Sequence, residues 1–409
     1  MQASRDGAIQ LWRSVLERCD ASKLIVAHLA GTSAERRPRI LSLGKAAGAL
    51  LCGAAEVLPG AREGALVVQT ADAPELPGVE CLAGDHPVAG EASLRAGRRV
   101  LEWVEAAQEE DAEVWVLLSG GASALVELPR PGPTLAELQQ VQQRLLTAGV
   151  DIDLQNAVRA RLSQLKGGGL AEWLGDSLKR LLVLVDIPAG TPELVGSGLC
   201  SPLPPWPGGL AAELERRGLL TELPDIVQLI LREARSEAPE ATVWPEVLAT
   251  PRTMVELATH DLLAAGVRIA PASGARAHLE GRELADELVA HLQTGEGALI
   301  VAGEASCDRG SPGPASEARG GRAAHLALEV LDRMAGVERE WVFLAGASDL
   351  KDGSGEGGAV VAAGHPASAE ERRAALEGWS SADFHRRFGS ALPGGAPRTN
   401  LCDLYLAWC

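Results

Sequence analysis

The chain has 409 residues, 46% of them hydrophobic and 23% charged, with a formal net charge of -17. That length and apolar content support two globular domains, each with its own core. The excess of acid repels a phosphate backbone and excludes nucleic acid as a main partner.

The opening stretch, MQASRDGAIQLWRSVLERCD, carries Arg5, Asp6, Arg13, Glu17 and Arg18 and lacks the apolar core of a signal peptide. No later run approaches the roughly 18 apolar residues of a membrane span. The expectation is a cytoplasmic protein with no membrane partner. Cys19, Cys52, Cys81, Cys200, Cys307, Cys402 and Cys409 form no C-x-x-C pair and no zinc-like spacing with the histidines, so they read as reduced structural thiols.

RILSLG (39–44) has the length and composition of a strand and leads into a helical pattern, KAAGALLCGAAEVL. A strand at GALVVQT (64–70), a helix through SLRAGRRVLEWVEAAQ, and strands at EVWVLLS (113–119) and RLLVLVDI (180–187) follow. Continuous apolar strands between helices predict a mostly parallel, doubly wound α/β sheet. PLPPWPGG, after Ser201, reads as a connector and EAPEATVWPEVLATP (237–251) as a domain boundary, giving domains over 1–240 and 241–409. Beyond the boundary, a helix in TMVELATHDLLAAG, a strand at GALIVAG (297–303), a helix from Gly321 through Met334 and a strand at EWVFLAGA (340–347) predict a second α/β unit.

Three familiar motifs fail on inspection. A phosphate-binding P-loop needs G-x-x-x-x-G-K-[ST], but Gly44-Lys45 is followed by Ala46 and Arg39 stands where the first glycine belongs. A nucleophile elbow needs G-x-S-x-G, and the run from Gly121 through Ser123 reaches Leu125 where a small residue is required. The G-x-G-x-x-G at Gly353 to Gly358 stands several residues past its strand and leads into no long helix, which is a poor dinucleotide fingerprint.

What remains is a set of polar residues at strand ends, where doubly wound sheets bind ligands. Lys45 follows RILSLG at a helix start, a place for a phosphate or carboxylate, or for a surface lysine. Asp186 ends the apolar run RLLVLV and needs a cationic or hydroxyl partner there, unless it only caps a turn. RGGR (319–322) opens a helix, and its two glycines let backbone N–H groups approach an anion beside an arginine fork; the plain alternative is a solvated helix start. The break after WVLL, at Ser119, Gly120, Gly121 and Ser123, reads as an anion-facing loop with backbone and hydroxyl donors.

Together, LGKAA (43–47), GDHPVAGEASLRAG (84–97), LLSGGASAL (117–125), NAVRARLSQLKGGGLA (156–171), VDIPAGTPELVGSG (185–198), AGEASC (302–307), RGGRAAHLAL (319–328) and RTNLCDL (398–404) resemble the class II glycerate kinases with a MOFRL C-terminal domain. The match runs in order over nearly the whole chain.

The resemblance implies a larger Rossmann-like N-terminal domain, a smaller MOFRL-type C-terminal α/β domain, and an active site in the cleft between them. It implies ATP-dependent phosphorylation of D-glycerate, to 2-phosphoglycerate, with Mg2+. Lys45, Asp186 and Arg322 correspond to the family's catalytic positions. In phosphoryl transfer, Asp186 would orient or deprotonate the attacking hydroxyl, while Lys45 and Arg322 hold the phosphoryl group and the substrate carboxylate. The same motifs place Gly44, Ser119, Gly120, Gly121, Ser123, Asn156, Arg159, Lys166, Gly198, Glu304, Gly320, Gly321 and Asp349 in substrate or nucleotide binding. Glu304 and Asp349 are candidate magnesium ligands, but the metal ligands themselves stay undetermined. So does the choice between a monomer and a homodimer.

The sequence departs from the family inside these motifs. SGGGSAL is SGGASAL here, with Ala122. DVPGDDP is DIPAGTP, GGRNQEFAL is GGRAAHLAL, GTDGIDGPT survives as Asp349 and Asp352 in GASDLKDGSG, and TGTNVNDL keeps Thr399, Asn400 and Asp403. Ala160 and Arg161 replace Lys and His within NAVRKHLS. Lost polar groups change what a hydrogen-bonding site accepts. The alternative reading is therefore a member with an altered hydroxy-acid substrate, or one with weakened activity that binds an anionic metabolite. A nicotinamide-dependent hydroxypyruvate reductase rests only on the older family label and the glycines at 353–358.

Overall fold

The computed structural model describes every residue except 1–2, 33–35, 189–190, 234–242, 308–319, 354 and 397. Contacts group the chain into two compact units, one of Ala21–Val185 with Thr191–Leu248, the other of Met1–Asp20, Asp186–Gly190 and Ala249–Cys409.

The first unit is built on strands β1 (Arg39–Leu43), β2 (Leu66–Thr70), β3 (Glu80–Gly84), β4 (Val114–Ser119), β5 (Leu178–Leu184) and β6 (Pro245–Ala249), in the order β3-β2-β1-β4-β5-β6. β1 to β5 pair in parallel, and β4 is buried at every position, as strands covered on both faces must be. The helix Glu91–Glu109 buries Ser93, Ala96, Gly97, Val100, Trp103, Val104 and Ala107, the three-and-four spacing of one helical face. From β1 the chain winds outward to β3, then returns to β4 and winds the other way. The carboxyl ends of β1 and β4 therefore meet at the switch point of a Rossmann-like sheet, where ligands bind.

β3 and β6 carry no apolar run and were not expected from the sequence. Both are edge strands, and β6 begins on Pro245, a residue a strand tolerates at its first position on a sheet edge. Glu246 ties β6 in by pairing with Arg180 (Nε to Oε1, 2.7 Å) and His28 (2.8 Å).

The second unit holds β7 (Gly274–Ala275), β8 (Ala298–Gly303), β9 (Val342–Ala347), β10 (Gly358–Ala362) and β11 (Asp403–Trp408) in the order β10-β9-β11-β8-β7. The last strand of the chain lies in the middle, antiparallel to both β8 and β9, so its first residue, Asp403, stands opposite Gly303 and Ala347 at their carboxyl ends. The helix Arg322–Arg333 buries Ala323, Ala324, Leu326, Ala327, Leu328, Val330 and Leu331, joining a core with Leu288, Phe343 and Tyr405.

The units differ from the continuous domains 1–240 and 241–409. The helix Arg5–Arg18 buries Leu11, Trp12 and Val15 and belongs to the second unit, where Ser14 Oγ donates to Asp261 Oδ2 at 3.1 Å and Arg18 pairs with the same carboxylate. Asp186 also counts with the second unit, and the first runs on to Leu248. Residues 237–242 of the stretch read as the boundary, 237–251, lie outside the described residues.

Candidate active site

In the first unit, the loops after β1 and β4 are knitted together. Lys45 N–H donates to Gly120 O (2.9 Å), Gly44 N–H to Val68 O (3.0 Å), and Ala46 N–H to the buried Ser119 Oγ (3.1 Å). Gly44 has a φ of +121°, and a Cβ there would lie 2.3 Å from Ser119 Oγ and 2.4 Å from Ser119 O. Only glycine fits so close an approach. The Lys45 stem lies against Gly121, 2.9 Å from where a Cβ on that residue would be. Gly44, Lys45, Ser119, Gly120 and Gly121 are thus brought together at the ends of β1 and β4.

Ser123 sits just beyond, and its role differs from the expected donor. Ser197 Oγ donates to Asn156 Oδ1 (2.9 Å), so at the 2.6 Å contact between the two hydroxyls Ser123 is the donor and Ser197 the acceptor. With its proton committed, Ser123 offers a ligand lone pairs. Gly198 O accepts from Gly168 N–H at 2.7 Å, stitching the Ser197 loop to the segment after Lys166. The Lys166 side chain is fully buried and ion-paired with Glu127. Burial pulls its pKa down and Glu127 works against that pull. Its ammonium therefore answers Glu127, and Glu127 is the member of the pair that lines an adjoining cavity.

That cavity, of about 160 Å³, is lined by Gly121, Ser123, Glu127 and Arg159 on one side and by Leu138 and Val141 among its apolar walls. Burial lowers the Arg159 pKa, against the attraction of Glu127.

In the second unit, Arg322 Nε donates to Asp403 Oδ2 (2.7 Å) and its Nη2 pairs with Glu304 Oε1 (2.9 Å). Tyr405 Oη donates to the same Asp403 oxygen (3.0 Å) and accepts from Ala305 N–H (3.2 Å). Burial raises the Asp403 pKa to about 6 despite Arg322. For Arg322, burial alone would favour losing the proton, but Asp403 and Glu304 outweigh it and hold the guanidinium charged. Asn400 Nδ2 donates to Asp186 Oδ2 at 3.3 Å, and the Cys402 thiol donates to Asp186 O. Burial pushes that thiol well above its usual range, helped by the charges of Glu304, Asp186 and Asp403.

The glycines before Arg322 serve an anion supplied by the chain. Asp352 accepts from Ala323 N–H (3.0 Å) and Ala324 N–H (2.7 Å), capping the helix start. A Cβ on Gly321 would stand 2.0 Å from Asp352 Oδ1, and one on Gly320 would stand 2.1 Å from Ser381 Oγ. The close approach inferred from Gly320 and Gly321 is real, but its partners are internal. Burial raises the Asp352 pKa, and the two N–H groups oppose that rise. Asp349 Oδ1 accepts from Lys351 N–H (3.1 Å), closing a turn after β9. Arg319 and the loop residues at 189–190 lie outside the described residues.

Asn400, Asp403 and Asp352 carry these contacts, though the sequence had only marked them as surviving motif residues. The available signal was their place beside a strand end in a motif that otherwise diverges.

Residues 8–232 match the family described as Domain of unknown function (DUF4147), and residues 297–403 match the MOFRL family. A putative hydroxypyruvate reductase of Agrobacterium vitis is 28% identical over 340 residues, covering 80% of this chain and 76% of that protein. D-glycerate 2-kinase of Thermotoga maritima is 35% identical over 201 residues, 47% of this chain and 46% of that protein. The crystal structure of a glycerate kinase from Thermotoga maritima superposes with a TM-score of 0.80 at 25% identity, over 99% of each chain. The protein therefore belongs to the class II glycerate kinase family, whose DUF4147 and MOFRL domains it carries in order.

Proposed function

We propose that this protein transfers a phosphoryl group from ATP to D-glycerate, giving 2-phosphoglycerate, with Lys45, Asp186 and Arg322 as its catalytic residues. The observation that carries the reading is the turn entering β11. Asn400 holds the Asp186 carboxylate and Asp403 holds the Arg322 guanidinium, so one short segment orients two of the three groups. The relatives named as glycerate kinases support the same reaction class.

Phosphoryl transfer asks a protein mainly to position groups and neutralise charge. Asp186 accepts the proton of the attacking hydroxyl, and Asn400 keeps its carboxylate turned for that task. Arg322, held charged by Asp403 and Glu304, meets the equatorial oxygens of the transferred group. Lys45 is fixed through its backbone to Gly120 and adds a second positive charge.

The donor set fits a magnesium ion that arrives on the nucleotide. Such ions are held by one or two carboxylates and by substrate phosphates, and no group of three or more His, Cys, Asp or Glu among the described residues could hold a metal alone. When bound, the ion neutralises charge on the phosphates. Glu304, beside Arg322, and Asp349 are the carboxylates that would hold it.

Incubating the purified protein with Mg-ATP and D-glycerate, and reading the product by phosphorus NMR, tests the proposal. A 2-phosphoglycerate signal is expected. Its absence, while a family enzyme forms product under the same conditions, contradicts the reading.

A further inference from the structure

We infer that Glu304 is a gate on Arg322, one that opens to a polyphosphate carrying a magnesium ion and stays closed to the same polyphosphate without it. The inference rests on the kinase reading for the identity of that ligand, and it gives the ion pair beside Arg322 a part in choosing between ligands.

One positive charge is answered twice here. Arg322 Nε donates to Asp403 Oδ2 (2.7 Å), and Nη2 pairs with Glu304 Oε1 (2.9 Å). A phosphate drawn to Nη2 would therefore lie against the Glu304 carboxylate, like charge against like. For Arg322 to take up an anion, one of its two carboxylates has to yield.

The two are not equally able to do so. The Asp403 side chain is 2% exposed, begins the central strand β11 and accepts from Tyr405 Oη at 3.0 Å. Moving it would strip a buried tyrosine of its acceptor, which is costly. The Glu304 side chain is 53% exposed, directly follows β8 and, among the described residues, is bonded to Arg322 alone. An exposed ion pair of this kind is weak and exchanges readily. Glu304 is the movable partner.

Its charge sets what draws it away. A magnesium ion on phosphates takes one or two carboxylates as further ligands, so Glu304 can exchange Arg322 for the ion and leave Nη2 to the phosphate oxygens. A polyphosphate without the ion offers Glu304 only like charge, and the carboxylate stays on Arg322. Asp403 keeps Nε throughout, holding the guanidinium in place while its second partner changes.

Calorimetric titration of the full chain with ATP, in EDTA and in excess magnesium, tests this. Glu304→Gln should bind metal-free ATP about tenfold more tightly than the wild type at low ionic strength, the effect of removing one like charge at close range. The preference for Mg-ATP should shrink accordingly. Glu304→Asp, which keeps the charge, should retain most of the wild-type preference. Glu283→Gln removes an exposed carboxylate that lines a cavity with Arg322 but does not pair with it, and should change metal-free binding less than twofold.

A gain in affinity cannot come from a misfolded protein. Glu304→Gln binding metal-free ATP no more tightly than the wild type, an equal gain in Glu283→Gln, or no binding of ATP in either form overturns the inference. The two readings separate as well. The expected gain in Glu304→Gln, with no phosphoglycerate formed by the wild type from Mg-ATP and D-glycerate, supports the gate and removes the kinase reading. Phosphoglycerate formed by the wild type, with metal-free ATP binding unchanged in Glu304→Gln, does the reverse.

Discussion

The two units prepare their residues in different ways. In the first, backbone does the positioning: Gly44 lets β1 and β4 close to contact, and the amides of Gly44, Lys45 and Ala46 fix the loop. In the second, side-chain carboxylates do it: Asp403 and Glu304 hold Arg322, and Asp352 caps the helix that Arg322 begins. A site built from backbone fails by steric strain, which is insensitive to pH. One built from carboxylates fails by charge, and its performance titrates.

The largest effect is expected at Asp186, the proposed base. Asp186→Asn keeps the shape and removes the base, so kcat should fall about 10³-fold with little change in melting temperature, measured in a coupled ADP-release assay. An equal fall in stability would place Asp186 among the structural groups instead.

Gly44→Ala tests the backbone-built unit. The new methyl meets Ser119 at a φ of +121°, and a loss of about 3 kcal/mol is expected in urea unfolding, the same at pH 5 and pH 8. A neutral result would mean that the two loops can part without cost.

Asp403→Asn tests the carboxylate-built unit. The folded state favours the uncharged form of this side chain, so the neutral amide should not lower stability at pH 7, and its effect is read in the pH dependence. The pH dependence has a definite sign. With its pKa raised from 3.8 to about 6, folded Asp403 binds a proton that the unfolded chain has already released. Its contribution therefore favours folding in acid and is lost as the pH rises through about 6. Activity should move the opposite way, since protonated Asp403 no longer balances Arg322: kcat/KM falls below about pH 6. Asp403→Asn should flatten both profiles, and profiles that keep their wild-type shape would show that another group sets the pH dependence.

The smallest effect is expected at the sheet edge. Arg180 pairs with Glu246 and lies 4.6 Å over the Trp115 ring, yet the pair is partly solvated. Arg180→Ala should cost about 0.5–1 kcal/mol and leave kcat unchanged.

The same contrast explains how much was legible in the sequence. The apolar runs at 39–44, 113–119 and 180–187 announced parallel strands, because strands buried on both faces must be apolar throughout. β3 and β6 escaped because edge strands need no such run. Lys45, Asp186 and Arg322 could be found as polar residues at strand and helix ends, where the fold leaves ligands room. The partners of Arg322 could not: Asp403, Glu304 and Asp352 lie far from it in sequence, and only the central placement of β11 brings Asp403 across from β8 and β9. Gly320 and Gly321 suggested a bound anion at the helix start, and the carboxylate at the helix start is the chain's own Asp352, which no sequence pattern announces. Ser123 gave the same lesson, since its proton is directed by Ser197 and Asn156 from separate segments.

The proposed chemistry is phosphoryl transfer through Lys45, Asp186 and Arg322. Its most direct test is single-turnover conversion of D-glycerate by excess protein and labelled Mg-ATP, comparing the wild type with Lys45→Ala, Asp186→Asn and Arg322→Ala. Labelled 2-phosphoglycerate should form in the wild type and fall at least a hundredfold in each folded variant. Product formation that persists in any of the three, or no product from the wild type, would contradict it.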